Sequence, residues 1–200
     1  MHGASIAILK SDKQIHSVDG AGTVSKSEDL LSILDGLLRG NNISKREIGQ
    51  IVISDKPGSL TGLRIGAAIA KGLGGALLVP VNKISILDAM ADNSESVGVV
   101  FSMLLTQKNV YYKKFIFANR ELQHTGEIEN EPESTIPEMF THVLESDRNN
   151  FITAVVFEEQ ESFFSEYLGQ TSPENKIRIF PLKGNPAEIL GIASILKRVR

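Results

Sequence analysis

The sequence contains no cysteine among its 200 residues. A disulfide, a thiolate nucleophile and a cysteine-ligated zinc site are therefore excluded. The chain also lacks a basic surplus, because 21 Lys and Arg stand against 24 Asp and Glu, for a formal net charge of −3. General nucleic-acid-binding proteins usually carry an excess of positive charge. The composition argues against that class and leaves a local basic patch open.

Long hydrophobic runs are absent as well. No run approaches the ~20 apolar residues that a membrane-spanning helix needs. The N-terminal segment MHGASIAILKSDK has a short apolar run without a basic region before it, unlike a secretory signal peptide. We therefore expect a cytoplasmic protein that makes no membrane contact.

Strand and helix patterns alternate along both halves of the chain, which favours an α/β fold. Apolar runs predict a hairpin at 4–9 and 14–18 and further strands at 50–54, 79–81, 97–105, 110–117, 121–125, 153–157 and 177–180. Helical spacing predicts helices at 27–39, 59–75, 85–91, 159–168 and 186–198. The acidic, proline-containing stretch 128–137 is predicted to be a loop. A polar stretch near 94–96 suggests two lobes, at 1–95 and 96–200.

The stretch SDKPGSLTGLRIG, residues 54–66, has some features of a phosphate loop. A glycine-containing turn before a helix forms an anion site because unpaired N–H groups point outward. The Walker spacing is absent, since no Gly-Lys-Ser/Thr follows Gly58 at the required distance. Gly58, Ser59 and Thr61 therefore remain candidates for a vestigial anion or nucleotide site. The alternative is a simple turn with Ser59 as the N-cap of the helix.

Small residues recur every four positions along the second predicted helix, at Gly62, Gly66, Ala70 and Gly74. Each glycine inside a helix costs about 1 kcal/mol relative to alanine, so a compensating close contact is expected. The ridge packs either on the sheet of its own domain or on a helix of another subunit. The residues alone leave both possibilities open.

Catalytic signatures are missing from the sequence. None of the histidines, His2, His16, His124 and His142, form an i, i+4 pair, which a helical metal site requires. The sequence also lacks the G-x-S-x-G motif of serine hydrolases. We expect no catalytic residue, no bound metal and no cofactor.

Residues 57–91, PGSLTGLRIGAAIAKGLGGALLVPVNKISILDAMA, are similar to the signature block of the TsaB (YeaZ) family. That family carries Pro-Gly-Ser-aromatic-Thr-Gly-Leu-Arg-Ile-Gly, then Ala-Lys-Gly-Leu, a Pro-Val strand and a Ser-x-Leu-x-Ala-Leu-Ala helix, and here Leu60 replaces the aromatic residue. Upstream, SIAILKSDKQI (5–15) resembles the first hairpin of the family, and SEDLLSILDGLL (27–38) resembles its first helix. The resemblance covers about the first half of the chain.

The resemblance implies an actin-like (ASKHA, ribonuclease-H-like) α/β fold of two lobes, with a divergent second lobe. It implies a non-catalytic subunit for threonylcarbamoyladenosine synthesis in tRNA, which binds and activates a TsaD-type transferase subunit. A TsaE-type ATPase would join the complex, a homodimer would form without the partner, and tRNA would be contacted only through the complex. The implied interface lies on the two helices at 27–39 and 61–75, with Leu30, Leu34, Thr61, Gly62, Ile65, Gly66, Ile69, Ala70 and Gly74.

The sequence departs from the family at two places. The family begins with a strand that ends in Asp-Thr-Ser, whereas Met1-His2-Gly3 stand where residues after that motif would fall. The first half-strand is therefore expected to be absent, either because the chain start is truncated or because this is a reduced homologue. Its absence would leave ladder groups on its neighbours unpaired unless something replaces it. In the second lobe only Val110-Tyr111 remain of Asp-Ala-Arg-x-Gly-Glu-Val-Tyr. Two alternatives stay open: an actin-like nucleotide-binding ATPase or kinase, and a stand-alone homodimer that has lost the partner role.

Overall fold

A computed structural model describes residues 5–10, 15–18, 29–94, 96–106, 109–119, 121–138, 140–141, 151–171 and 176–199. The chain forms two compact units. The first contains the residues up to Ala89 together with those from Asn185 onward, and the second runs from Met90 to Gly184. The sequence-based division at 95/96 assigned 186–198 to the second lobe, whereas the structure groups that helix with the first unit. No helix among the described residues is both long enough and apolar enough to span a membrane.

The predicted alternation of strands and helices is confirmed. The strands are β1 (Ile6–Leu9), β2 (Ile15–Val18), β3 (Ile51–Ser54), β4 (Val81–Ile84), β5 (Gly98–Leu105), β6 (Asn109–Ala118), β7 (Glu121–Pro132), β8 (Ile152–Phe157) and β9 (Ile177–Leu182). The helices are α1 (Leu30–Gly40), α2 (Leu60–Leu77), α3 (Ile86–Asn93), α4 (Glu161–Thr171) and α5 (Pro186–Val199). Short 3-10 turns lie at Lys45–Glu47, Glu133–Thr135 and Glu158–Gln160, and residues 136–138 and 140–141 are helical.

The strands of the first unit form two separate ladders among the described residues. β1 and β2 pair as the predicted antiparallel hairpin, with Ile6 opposite Val18. β3 and β4 pair in parallel, with Ile51 opposite Val81. Each ladder has only two strands, and a two-stranded sheet is marginally stable unless other elements cover it.

The C-terminal helix α5 packs on both ladders of the first unit. The Ala187 N–H donates to Ser5 Oγ at 3.2 Å, next to β1. Gly191 lies against the side chain of Leu9, because a Cβ at this glycine would stand 2.5 Å from Leu9 Cδ1. Gln50 Nε2, one residue before β3, donates to Ser194 Oγ at 3.2 Å. One side of α5 thus packs on β1 of the first ladder and on β3 of the second.

The second unit has one five-stranded sheet in the order β7-β6-β5-β8-β9. β5 is antiparallel to β6 and parallel to β8, and β8 is parallel to β9. The strands and the neighbouring helical residues enclose an aromatic core that includes Phe101, Phe140 and Phe164. This core stabilises the unit mainly by removing apolar surface from water.

The loop predicted at 128–137 is wrong, because β7 extends through Pro132. Its backbone pairs with β6, with Ile128 opposite Lys113 and Glu129 opposite Tyr112. β7 lies at the edge of the sheet, where charged side chains remain in water and are tolerated. The local composition therefore resembles a loop, while pairing with the preceding strand β6 makes residues 128–132 part of a strand.

Candidate functional site

Helix α2 begins where the sequence predicts a cap. Ser59 Oγ accepts a hydrogen bond from the Gly62 N–H at 3.5 Å, and the helix starts at Leu60. It ends after Leu77, where Leu78 adopts a left-handed conformation with φ 57°. The helix packs on β3 and β4 of its own unit.

The buried side of α2 contains two residues that the sequence assigned to the partner interface. Ala70 is only 2% exposed. A Cβ at Gly74 would lie 2.5 Å from Val81 Cγ2 and 3.2 Å from the Val79 carbonyl oxygen. Gly74 therefore allows the helix to approach β4 closely, and the interface prediction for Ala70 and Gly74 is wrong.

The helical repeat explains this error. Successive residues of an α-helix are rotated by about 100°, so a spacing of four residues advances by about 40° around the axis. Three such steps, from Gly62 to Gly74, turn the ridge by about 120°. Its first member, Gly62, is exposed, Gly66 is half-buried, and its last two members face the sheet. The four small residues therefore do not lie on one face of the helix.

A different side of α2 is left uncovered by the first unit. We define the α2 outer face as the uncharged residues that lie away from the sheet: Thr61, Gly62, Ile65, Ala68, Ile69, Gly72 and Ala76. The two isoleucines are half-buried and the other five residues are exposed. The exposed cations Arg64 and Lys71 lie to one side of this face. A surface helix normally presents charged and polar residues opposite its buried side, so the α2 outer face is unusual.

The α2 outer face keeps four of the predicted interface residues, namely Thr61, Gly62, Ile65 and Ile69. It also contains three that the sequence reasoning missed, namely Ala68, Gly72 and Ala76. A period of 3.6 residues applied to the predicted helix would have found them, since they continue the same side of the helix. Gly66 lies at the margin, where an added Cβ would meet no other atom within 4 Å.

Helix α1 is the second predicted interface element. It packs on the β1–β2 hairpin and buries Leu38, which is 2% exposed. The predicted interface residues Leu30 and Leu34 are half-buried on one side of the helix. Leu31 is 50% exposed. The predicted start of this helix at 27–28 lies outside the described residues.

An ion-pair cluster ties the end of α1 to the turn that follows it. The Asp35 carboxylate is 2.7 Å from Lys45 Nζ and 2.6 Å from Arg39 Nε. The hydrogen bond from Lys45 and the charge of Arg39 lower the pKa of Asp35 below its ordinary value. The turn itself begins with a capping box between Ser44 and Glu47. These contacts hold the last turn of α1 in place.

The candidate anion site lies at the start of α2, where Gly58, Ser59 and Thr61 are all exposed. The Ser59 hydroxyl already accepts the Gly62 N–H, and the Leu63 side chain lies 3.4 Å from where a Cβ of Gly58 would be. The described residues contain no group of three or more His, Asp or Glu side chains arranged to hold a metal ion. Anion binding at this helix start stays a prediction.

Comparison with known sequences gives matches to proteins of threonylcarbamoyladenosine biosynthesis. The family model described as TsaD, tRNA N6-adenosine threonylcarbamoyltransferase, matches residues 8–106. The threonylcarbamoyladenosine biosynthesis protein TsaB of Bacillus subtilis is 31% identical over 88 residues, which are 44% of this chain and 38% of that protein. TsaB of Haemophilus influenzae is 27% identical over 116 residues, 56% of this chain and 49% of that protein. The chain spans about half the length of the curated relatives it matches.

Solved structures extend the likeness to both units. YeaZ from Pseudomonas aeruginosa superposes with a TM-score of 0.60 at 17% sequence identity. The superposed region is 98% of this chain and 87% of the YeaZ chain. A second Pseudomonas aeruginosa protein, described as similar to the peptidase YeaZ, has a TM-score of 0.64 at 16% identity, with the same shares covered. The first half of the chain is similar in sequence to TsaB proteins, and the chain as a whole is similar in fold to YeaZ. Its fold is the predicted actin-like α/β fold of two lobes, which the ethanolamine utilization protein EutJ of Carboxydothermus hydrogenoformans shares at a TM-score of 0.54.

The TsaB signature block lies in the first unit except for its last two residues. Residues 57–91 build the turn before α2, the whole of α2, strand β4 and the start of α3. The small residues of this block divide between two roles in the structure. Ala70 and Gly74 bring α2 close to its own sheet, and Gly62 and Gly72 leave the α2 outer face flat.

Proposed function

We propose that this chain is a non-catalytic subunit in the biosynthesis of threonylcarbamoyladenosine in tRNA, and that it binds a TsaD-type transferase subunit through α2. The names of its relatives support the pathway. The uncharged α2 outer face carries the interface part of the proposal. The transferase would perform the chemistry.

The composition of the α2 outer face suits a packed helix of a partner. Glycine and alanine at Gly62, Ala68, Gly72 and Ala76 allow a second helix to approach closely, and close approach gives many dispersion contacts. Ile65 and Ile69 add apolar area along the centre of the face. No charged group has to be removed from water there, so the desolvation cost of binding is small.

The proposal also covers the remaining members of the complex. Without the transferase, the α2 outer face would pair with that of a second copy and form a homodimer with two-fold symmetry. A TsaE-type ATPase would join through the transferase-bound assembly. The tRNA would be contacted through the complex, because the formal net charge of −3 gives this chain little attraction for phosphates.

A charge placed on the α2 outer face tests the proposal. We expect Gly72→Arg to abolish the complex with the TsaD-type subunit of the same organism, because the cation would be buried without a partner. The change should not unfold the chain, since Gly72 is exposed with no atom within 4 Å of an added Cβ. The matched control is Gly49→Arg, at an exposed glycine with equally open surroundings outside both helices.

The measurement is the mass of the mixture by size-exclusion chromatography with light scattering. The unaltered chain and Gly49→Arg should form a complex that contains both subunits, and Gly72→Arg should not. A Gly72→Arg chain that binds as tightly as the control would refute the α2 interface. A lack of binding by the unaltered chain would refute the scaffold function itself and would leave the homodimer as the remaining assembly.

A further inference from the structure

Two leucines are exposed at the two ends of helix α2. Leu60, the first residue of the helix, is 62% exposed, and Leu78, which follows its last residue, is 92% exposed. The two positions are separated by about five helical turns of 3.6 residues, or about 27 Å along the axis. They therefore lie on the same side of α2, one at each end.

Leu78 occupies a backbone position at which leucine is unusual. Its φ is 57° and its ψ is 40°, in the left-handed region where glycine or asparagine usually ends a helix. The other non-glycine residues with a positive φ in the described part of the chain are Asn42 and Asn119. The N–H groups of Leu78 and Val79 both donate to the Gly74 carbonyl oxygen. The backbone thus closes this turn without any contribution from the leucine side chain.

Two cations lie between the leucines on the same side of α2. Arg64 and Lys71 are both exposed, and about two helical turns separate them. A rotation of 100° per residue places Arg64 about 40° and Lys71 about 20° around the axis from Leu60. We call Leu60, Arg64, Lys71 and Leu78 the α2 basic flank. It borders the α2 outer face.

The cations of the α2 basic flank have no opposite charge beside them. Neither Arg64 nor Lys71 forms an ion pair with a carboxylate among the residues that the structure describes. Helix α2 contains no acidic residue, although the whole chain has more Asp and Glu than Lys and Arg. A carboxylate four positions away stabilises a helical cation, as Asp35 does for Arg39 in α1. The flank is therefore a local positive surface with an exposed leucine at each end.

We propose that the α2 basic flank binds an acidic amphipathic helix of the TsaD-type partner. Two carboxylates of that helix, about two turns apart, pair with Arg64 and Lys71. An apolar side chain beyond each carboxylate covers Leu60 at one end and Leu78 at the other. The inference rests on the proposed function, because the same partner would pack on the adjoining α2 outer face.

The chemistry of the flank favours a protein over a nucleic acid. Binding to a phosphate backbone depends on several cations, whereas this flank has only Arg64 and Lys71. Its leucines offer apolar contacts, which an amphipathic helix uses and a phosphate backbone does not. Complementary charges would fix the register of the partner helix and speed its association. Burial of the leucines would slow its dissociation.

Binding kinetics with the TsaD-type subunit of the same organism test the flank. We expect Arg64→Glu combined with Lys71→Glu to slow association by about 10-fold at low salt, because like charges would then face each other. The variant should also lose most of the salt dependence that the unaltered chain shows. The control combines Arg46→Glu with Arg178→Glu, at two exposed cations outside α2, and changes the net charge equally. Its association rate should match that of the unaltered chain.

Leu78 gives a second readout. We expect Leu78→Asn to speed dissociation of the complex by about 10-fold, the loss of one buried apolar side chain. The same change should raise the urea midpoint of the free chain, because asparagine adopts the left-handed conformation more readily than leucine. A more stable chain that binds more weakly cannot owe its loss of affinity to unfolding. Leu78→Met keeps an apolar side chain and should keep the dissociation rate.

The outcomes separate the flank from the proposed function. A complex that responds neither to the charge reversals nor to Leu78→Asn would overturn the flank and leave the α2 outer face standing. An equal loss in the control would assign the effect to net charge and would also overturn the flank. Weaker binding of the charge-reversed chain to purified tRNA, with unchanged binding to the transferase, would assign the flank to nucleic acid instead. A lack of complex with the unaltered chain would overturn both proposals.

Discussion

Gly72 and Gly74 stand two positions apart in α2 and have opposite surroundings. Gly74 is buried, and its missing side chain makes room for Val81, whereas Gly72 is exposed with open space around it. We expect Gly74→Ala to destabilise the chain by about 1–3 kcal/mol through overpacking. Gly72→Ala should stabilise it by about 1 kcal/mol through helix propensity. Urea denaturation measures both, and equal stabilisation by the two substitutions would show that α2 does not rest on β4 through Gly74.

Tyr112 is a buried residue, and we expect its ionisation to lower the free energy of unfolding. Its hydroxyl donates to Glu129 Oε2 at 2.7 Å, and burial, followed by the bond and the charge of Glu129, raises the pKa of Tyr112 well above its usual range. The unfolded chain loses this proton near pH 10, while the folded chain keeps it. The contribution of the protonated Tyr112 hydroxyl to the free energy of unfolding is therefore complete below about pH 10. It is lost as the pH rises further.

Replacement of this hydroxyl tests the linkage. Tyr112→Phe should cost about 1 kcal/mol at neutral pH, the typical net value of such a hydrogen bond. It should also flatten the fall of stability above about pH 10. Denaturation midpoints at neutral and alkaline pH give both quantities, with Tyr111→Phe on the other face of β6 as the control. If the stability of Tyr112→Phe falls as steeply above about pH 10 as that of the unaltered chain, the loss of stability comes from other groups.

Among the elements, α2 has a single side-chain cap at its N-terminus, Ser59. Ser59 closes its N-terminus by accepting the Gly62 N–H, and the helix contains five glycines between Leu60 and Leu77 that lower its intrinsic stability. We expect Ser59→Ala to destabilise the chain by about 1 kcal/mol. Ser59→Asp should keep the stability, because aspartate caps equally well. Equal losses in both variants, measured by thermal unfolding, would mean that the hydroxyl contributes through another contact.

The elements also differ in how far their own residues predict them. The capping box at Ser44 and Glu47 and the end of α1 near Gly40 follow from side chains within a few positions. β7 was predicted only over 121–125, because Glu127, Glu129 and Glu131 are typical of a loop. Its length depends on pairing with β6. Nonlocal pairing of this kind leaves no periodic signal in an edge strand, since most of its side chains face water.

For the whole molecule, the relation between the two units is visible only in three dimensions. The sequence has no internal repeat, yet β1–β4 and β6–β9 follow the same order with the same strand directions. Different residues fill these equivalent places, because a strand position demands apolar character and suitable length rather than one residue type. The split sheet of the first unit is recognised only by comparison with the continuous sheet of the second.

The sequence by itself determined the resemblance to TsaB proteins, the alternation of strands and helices, and the cap of α2, because these depend on residue types at short spacings. The tertiary structure alone decided which small residues of α2 face the sheet. Ala70 and Gly74 belong to the same four-residue pattern as Gly62 and Gly66, and only their burial on the side of α2 that packs on the sheet separates them. It also decided that α5 joins the first unit and that, among the described residues, β1 and β3 belong to separate ladders there. The reason is physical: short spacings fix local conformation, whereas burial and strand pairing depend on residues that are distant in the chain.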